Sequence, residues 1–266
     1  MFDPKKLIVT VGCALAFMTV HGKKVFNLCL LDSPKLDGIG YDNSVMTSNG
    51  ELAVIQDYVA DNGVIFDVGA NVGEWSENVL RFHPQVTMYA FEPIPNLVEA
   101  LNNKFKNKKI SIHQYAISSQ EGTKQFEYYE HASGLSGLYH RPLVEKLIKE
   151  SPKKLEVKSI PLDVFCERNK IQHINFLKID TEGSEFDVLG GASHLLENKM
   201  ISLLQFEYGG TYPDAGITLK QVYAFLRSKG YFIYRISSRN LIYIPEWRDA
   251  LETYKYSNYV ASAAQL

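Results

Sequence analysis

Five acidic side chains of this 266-residue chain lie at or near the ends of apolar runs, where buried strands would finish. Asp67 belongs to V-I-F-D-V, Glu92 ends V-T-M-Y-A-F-E, and Asp180 ends I-N-F-L-K-I-D. Glu182 follows two residues after Asp180, and Glu207 lies near the end of I-S-L-L-Q-F-E-Y. In an open α/β sheet, ligands bind beyond the carboxyl ends of the strands. We therefore expect these acids to face one cleft, where they can bind hydroxyls or a cation, or remove a proton.

A glycine turn follows the first of these runs. Gly69 and Gly73 come after Asp67, and a helical pattern of apolar residues comes next. The spacing differs from the dinucleotide turn G-x-G-x-x-G, because Asn71 stands where that turn has its middle glycine. Asp67 would also repel a diphosphate. A carboxylate there suits a ligand with an ammonium group.

The second acid adds the other half of the ligand. Glu92 lies 92 − 73 = 19 residues beyond Gly73. This is close to the spacing of about 20 residues at which an acid binds ribose hydroxyls. The pair predicts a nucleoside with a cationic amino-acid tail and no phosphates, which describes S-adenosylmethionine. The competing interpretation is that Asp67 caps a helix and Glu92 is a solvated strand end.

The candidates for catalysis lie further along the chain. Asp180 and Glu182 could act as a general base, orient a hydroxyl or hold a divalent ion. Two carboxylates without a histidine are a weak metal signal, so no metal is predicted. His140 and Glu207 are the other candidate bases, and Asp180 could instead cap the following helix. The segment His131–Arg141 is rich in glycine and serine and is predicted to be an active-site loop.

Several segments together resemble the FkbM-type S-adenosylmethionine-dependent methyltransferases. They are D-V-G-A-N-V-G-E, A-F-E-P, F-L-K-I-D-T-E-G-S-E-F-D-V-L-G-G-A and L-L-Q-F-E-Y-G. The resemblance covers roughly Asn49 to Ser237. It implies O-methylation, often of a sugar or natural-product hydroxyl.

The resemblance also implies the fold class, and together with the acid pattern it predicts the cofactor site. The implied fold is a class I methyltransferase fold: Rossmann-like, doubly wound, with a mostly parallel sheet and an antiparallel C-terminal hairpin. The hairpin is predicted from the strands Tyr231–Ile236 and Leu241–Ile244, and Ile110–Ile117 is predicted as the third strand. The predicted cofactor residues are Asp67, Gly69, Asn71, Gly73, Glu74, Glu92, Pro93, Ala116 and Asp180.

The chain has no marked linker or repeat, so we predict one methyltransferase domain over residues 49–266. Residues 1–48 are predicted to be an N-terminal extension. The loop predicted over Ser33–Asn49 is a candidate substrate lid. Lys5 and Lys6 precede the apolar stretch Leu7–Val20. At about 14 residues this stretch is shorter than the roughly 20 that span a bilayer. The prediction is a strand or helix packed on the domain, with an uncleaved signal-like or peripheral membrane anchor as the alternative.

Composition limits the other functional classes. The formal net charge is −2, so no global basic field points to nucleic acid. A nucleotide cofactor predicts a cytoplasmic enzyme, with peripheral association to a membrane left open. The expected partner is a small-molecule or glycan acceptor, and the oligomeric state is not indicated. Two rival classes are another nucleotide-dependent enzyme, such as a dehydrogenase, and a non-catalytic protein that keeps the fold and binds S-adenosylmethionine.

Overall fold

The computed structural model describes residues 16–20, 23–27, 43–238 and 240–266, and its centre is a sheet of eight strands. The strands of this large sheet are β3 (Val64–Val68), β4 (Thr87–Phe91), β5 (Ile110–His113), β9 (Ile174–Ile179), β10 (Ile201–Tyr208), β11 (Phe232–Ile236), β12 (Leu241–Tyr243) and β13 (Ser257–Ser262). A smaller sheet contains β6 (Ala116–Ile117), β7 (Gly122–Tyr128) and β8 (Lys153–Ile160). Two further strands, β1 (Ala16–Val20) and β2 (Lys23–Asn27), pair with each other.

The order of strands in the large sheet is β12-β11-β13-β10-β9-β3-β4-β5. The five strands from β10 to β5 pair in parallel, and β13 is antiparallel to both β10 and β11. From β3 the chain builds β4 and β5 on one side, then returns to add β9 and β10 on the other. The reversal between β3 and β9 is the kind of switch point at which such sheets bind ligands. This topology confirms the predicted fold class.

Helices connect the strands and cover the sheet. They are α1 (Met46–Asn49), α2 (Glu51–Tyr58), α3 (Glu74–Phe82), α4 (Pro95–Lys104), α5 (Pro142–Ile148), α6 (Leu162–Asn169), α7 (Glu185–Gly190), α8 (Ser193–Glu197), α9 (Tyr212–Ala215) and α10 (Leu219–Ser228). The N-terminus of α10 is fixed by a capping box between Thr218 and Gln221.

Alternate residues of the parallel strands enter two separate cores. Ile65 and Phe176 pack with residues of α2 and α3, whereas Phe66 and Leu177 pack with residues of α6 and α10. Successive side chains of a strand point to opposite faces, so both faces of the sheet are apolar and covered. Apolar runs without polar alternation are the sequence signature of such strands.

Two elements differ from the sequence prediction. The predicted third strand, Ile110–Ile117, is divided, because β5 ends at His113 and β6 pairs with β8 of the small sheet. The second difference is β13, which was not predicted and separates β10 from the hairpin of β11 and β12. All six residues of β13 are buried, and its sequence, S-N-Y-V-A-S, lacks the alternation of apolar and polar residues that marks an amphipathic strand.

The predicted N-terminal extension is only partly described. Residues 1–15, 21–22 and 28–42 lie outside the described residues, and with them most of the apolar stretch and of the candidate lid. The described part of the lid region contains α1. Within the described residues, every helix falls short of the length and apolar character needed to cross a membrane. The domain boundary at residue 48 stays a prediction.

Candidate functional site

A cavity of about 620 Å³ opens at the carboxyl ends of β3, β4, β9 and β10. Most of the residues predicted for the site line it. They are Asp67, Gly69, Asn71, Glu74, Glu92, Pro93, Ala116, Asp180, Glu182 and Glu207. Two predicted site residues, Gly73 and His140, are not part of its lining. The sheet topology therefore brings acids from four strands to one cleft, as expected for the switch point of this fold.

Asp67 is fully buried beneath the glycine turn. Its Oδ2 accepts a hydrogen bond of 2.6 Å from Ser76 Oγ, and its Oδ1 has no hydrogen-bond partner among the described residues. Burial raises the pKa of Asp67, while Lys178 and Ser76 oppose that rise. A buried acceptor atom without a partner is costly unless a ligand satisfies it. The atom therefore fits the ammonium group of a cationic ligand.

Glu92 is held by the backbone on both carboxylate oxygens. Oε2 accepts from the Asn71 N–H and Oε1 from the Ile94 N–H, each at 2.9 Å. Burial raises the pKa of Glu92 to about 7, and these two backbone donors limit the rise. The carboxylate is thereby fixed against the cavity wall, where each oxygen can still accept from a ribose hydroxyl.

The two glycines of the turn have different roles. Both have positive φ, +86° at Gly69 and +74° at Gly73. A Cβ on Gly69 would lie 1.7 Å from the carbonyl oxygen of Asp180, so β3 and β9 meet there without room for a side chain. A Cβ on Gly73 would instead meet the side chains of Leu101 and Phe105 at 2.7 Å. Gly73 thus makes room for the packing of α4 and lies outside the cavity lining, and its assignment as a cofactor residue stays a prediction.

A lysine and an acid form the centre of the catalytic candidates. Lys178 Nζ donates to Asp180 Oδ2 at 2.8 Å, and the Lys178 side chain is 7% exposed. Burial alone would lower the pKa of Lys178, but the carboxylates of Asp180, Asp67 and Glu51 outweigh it and raise that pKa. The lysine therefore stays charged at neutral pH. The second oxygen of Asp180, Oδ1, has no hydrogen bond to any described residue.

The other two acids differ in their partners. Arg141 donates to Glu182 Oε2 at 2.8 Å and to the Leu135 carbonyl at 3.2 Å, and its side chain is only 4% exposed. The Glu207 carboxylate has no hydrogen bond or ion pair to a described residue. One oxygen from each of Asp180, Glu182 and Glu207 lies within 4.8 Å of the other two.

This spacing explains the protonation of the group. Burial raises the pKa values of Glu182 and Glu207, and the neighbouring acids add to the rise. Arg141 limits the rise at Glu182, whose pKa reaches about 8, and Lys178 limits the rise at Glu207. Because Glu207 makes no hydrogen bond or ion pair to a described residue, and neighbouring carboxylates cannot all ionise at close range, we assign a proton to Glu207. The prediction that the site uses no metal stays a prediction.

The glycine-rich loop connects the two halves of the cavity. Ser133 donates to Asn71 Oδ1 at 3.0 Å, and Arg141 reaches Glu182. The structure does not bring His140 to these groups. Its Nδ1 lies 2.8 Å from Glu127 and its Nε2 3.8 Å from Glu145, and the side chain is 53% exposed. These pairs direct the imidazole away from the cavity, so His140 is no longer a candidate base.

Three residues of the site were missed or given no role from sequence. Lys178 and Glu51 both line the cavity, as does Arg141, which had been noted only as part of the loop. A charged residue inside an apolar run is a usable signal, because burial of an unpaired charge is costly. Lys178 in F-L-K-I-D carries that signal, whereas Glu51 reads as an ordinary first-turn helix residue.

The sequence is similar to those of several known methyltransferases. Residues 67–233 match the model of the methyltransferase FkbM domain. The chain is 26% identical over 54% of its length to "Methyltransferase 1" of Beauveria bassiana, with 65% of that protein covered. It is 32% identical over 48% of its length to "31-O-demethyl-FK506 methyltransferase FkbM" of Streptomyces tacrolimicus, with 58% of that protein covered. It is 24% identical over 60% of its length to "Hexuronic acid methyltransferase AglP" of Haloferax volcanii, with 64% of that protein covered.

The matched parts thus span less than two thirds of these relatives' own lengths. The domain match is broader with respect to this chain, since it extends over more than half of the 266 residues and contains both halves of the cavity. The chain belongs to the FkbM methyltransferase domain family.

Proposed function

We propose that this chain is an S-adenosylmethionine-dependent O-methyltransferase that acts on a hydroxyl of a sugar, glycan or related metabolite. The observation that carries the proposal is a single cavity with two kinds of acid. Asp67 and Glu92 lie at the β3 and β4 end, and Asp180, Glu182 and Glu207 lie at the β9 and β10 end. The first pair suits a nucleoside with a cationic tail, and the second group suits a hydroxyl that must lose a proton.

The residues at the β3 and β4 end fit the cofactor. The orphaned Oδ1 of Asp67 suits its ammonium group, and the fixed carboxylate of Glu92 suits its ribose hydroxyls. Gly69 lines the cavity and lets the turn pass close to the backbone carbonyl of Asp180, which fixes the shape of the wall. When bound, S-adenosylmethionine supplies a methyl group on a sulfonium, which is already activated for in-line displacement.

The residues at the β9 and β10 end would prepare the acceptor. An uncharged hydroxyl is a weak nucleophile at neutral pH, so a positioned base speeds its reaction. Asp180 is our choice of base, because Lys178 fixes one of its oxygens and leaves the other available. Glu182 is bound by Arg141, and Glu207 keeps its proton and can donate to the acceptor. The names of two relatives, a hexuronic acid methyltransferase and a 31-O-demethyl-FK506 methyltransferase, support an oxygen acceptor on a small molecule or sugar.

Calorimetric titration with S-adenosylhomocysteine tests the cofactor half, and an assay with labelled S-adenosylmethionine over a panel of sugars, glycans and hydroxylated metabolites tests transfer. We expect binding, and transfer to at least one panel member. Failure to bind S-adenosylhomocysteine, with binding of a nicotinamide dinucleotide, would favour the dehydrogenase class. Tight binding without transfer to any panel member would favour a non-catalytic binding protein.

A further inference from the structure

Lys178 occupies an unusual place for a charged side chain. It lies near the end of β9, between β3 and β10, and its neighbours in register are Asp67 and Gln205. These three residues form one polar row on the face of the sheet whose next inner row is Ile65, Phe176 and Leu203. The row therefore separates the apolar core from the cavity.

The acids around Lys178 differ in the other hydrogen-bond donors that they have. Glu51 accepts from Asn49 Nδ2 at 2.6 Å and from Gln205 Nε2 at 2.7 Å. Asp67 accepts from a serine hydroxyl. Asp180 has an ion pair with Lys178 at 2.8 Å, and no other described basic side chain lies within salt-bridge distance of it. The lysine is thus the sole described cation that pairs with Asp180.

This pairing divides the Asp180 carboxylate into two unequal oxygens. Oδ2 is fixed by Lys178, and Oδ1 remains without a described hydrogen bond beside the cavity. A base must be both ionised and oriented to accept a proton in the transition state. A buried cation meets both needs, because it stabilises the carboxylate and restricts its rotation.

We propose that Lys178 is a positioning residue for methyl transfer, which fixes one oxygen of Asp180 so that the other receives the acceptor proton. The inference rests on the proposed function, since it assumes that Asp180 is the base. Lys178 acts through Asp180. Six other titratable groups, from the elements packed around Asp180, also interact with it electrostatically. They are Asp67, Glu51, Glu182, Glu185, Glu207 and Tyr256.

The test compares Lys178→Met, Lys178→Arg and a matched control. Methionine keeps the length and apolar stem but removes the charge, and arginine keeps the charge. The control is Lys124→Met, because Lys124 pairs with Asp187 at 2.9 Å and does not line the cavity. We expect Lys178→Met to lower kcat about 100-fold or more, the range for a misplaced base. KM for the acceptor should change much less, and the acidic limb of the kcat profile should move to higher pH.

Lys178→Arg should recover rate and restore the acidic limb, and Lys124→Met should leave both unchanged. A parental kcat and acidic limb in Lys178→Met would overturn the proposal. An equal loss in Lys124→Met would also overturn it, because the effect would then be general destabilisation.

A second measurement needs no acceptor. The mobility of the side-chain carboxyl carbons of aspartate can be followed by NMR relaxation, with the Asp180 signal identified by its absence in Asp180→Asn. We expect that carboxylate to be more mobile in Lys178→Met than in the parent protein, because the lysine fixes one of its oxygens. Identical mobility would overturn the proposal even if no acceptor were methylated, so its failure is distinguishable from failure of the proposed function.

Discussion

The two ends of the cavity are held in different ways. At the β3 and β4 end, Glu92 is fixed by the N–H groups of Asn71 and Ile94, and Asp67 by the hydroxyl of Ser76. These partners are backbone groups or neutral side chains within 21 residues. The geometry of this end therefore follows from two adjacent strands, the glycine turn and one helix.

At the β9 and β10 end the partners are cations. Lys178 holds Asp180, and Arg141 reaches Glu182 from a loop 41 residues earlier in the chain. Each ion pair is buried on its basic side, where loss of one partner leaves an uncompensated charge. Glu207 has no ion pair with a described residue, and it is the member of the acidic cluster to which we assign a proton.

The difference indicates how the work of the site is divided. A cofactor that never changes is matched by local structure, which few substitutions can move. Under the proposed function, the acceptor end depends on buried cations, Lys178 two residues from Asp180 and Arg141 from a distant loop, which can be altered one residue at a time without disturbing the glycine turn. We therefore expect substitutions at the first end to change cofactor affinity, and those at the second end to change rate.

The largest effect should come from Gly69→Ala. The new Cβ would overlap the Asp180 carbonyl, which belongs to the backbone and cannot rotate away. We expect cofactor binding to fall below detection by calorimetry. The matched control is Gly73→Ala, where φ is also positive but the nearest atoms are side-chain ends of Leu101 and Phe105. Gly73→Ala should lower stability by about 1–3 kcal/mol yet still bind cofactor, and equal binding losses would refute the distinction.

Asp180→Asn should change rate and leave affinity nearly intact. The amide keeps the shape but cannot accept the proton, so we expect kcat to fall about 10²–10⁴-fold. Cofactor Kd should stay within a few-fold of the parent. Glu207→Gln is the comparison, because glutamine mimics the protonated acid that we assign there. If Glu207→Gln lost as much activity as Asp180→Asn, Glu207 and not its neighbour would be the ionised base.

Glu92→Ala should have the opposite profile. Loss of hydrogen bonds to a charged acceptor typically costs about 1.5–3 kcal/mol, so we expect Kd for S-adenosylhomocysteine to rise by about 10- to 150-fold. At saturating concentrations of acceptor and cofactor, the kcat of the mutant should be close to that of the parent. A mutant that binds as tightly as the parent would show that Glu92 does not contact the ribose.

A smaller effect should appear in the pH dependence of cofactor binding. Because the pKa of Glu92 is raised to about 7, the side chain is ionised above that pH and protonated below it. The ionised form is the better acceptor, so affinity should weaken by up to about tenfold between pH 8 and pH 6. Calorimetry at several pH values measures this change, and Glu92→Gln should remove it. If cofactor affinity still changed with pH in Glu92→Gln as it does in the parent, another group would cause the pH dependence.

The smallest effect should come from His140→Ala. The imidazole pairs with Glu127 and Glu145 outside the cavity lining. Surface ion pairs of this kind are worth about 0–1 kcal/mol, so kcat and Kd should both stay within twofold of the parent. A large fall in kcat would return His140 to the list of bases and would require the loop to move.

The strand, turn and helix around Asp67 could be predicted from sequence because their signals are local. Val64–Val68 is an apolar run, and the glycine turn and helix follow at once. The proximity of Asp67 and Glu92 was also predictable, since parallel strands bring their carboxyl ends to one edge of the sheet.

The catalytic end could be predicted only in part. The acids were identifiable as strand ends, and Lys178 lies only two residues before Asp180, but the contact of Arg141 with Glu182 depends on where a loop returns. Arg141 meets Glu182 only after the chain between them has folded, and no spacing rule predicts that contact. The packing role of Gly73 was hidden for a related reason, because its neighbours, Leu101 in α4 and Phe105 directly after it, are distant in sequence.

The position of β13 bears on how a newly made chain reaches this structure. Tyr208 ends β10 and Ser257 begins β13, yet the two strands are adjacent, and β11 pairs with the far side of β13. During translation, β10 and β11 would both leave the ribosome before the strand that joins them. Until then each presents an unpaired edge to other nascent chains, the condition that invites misassociation and chaperone binding. Contacts of such long sequence separation also slow folding, so the synthesis of β13 governs when β10 and β11 are joined into one sheet.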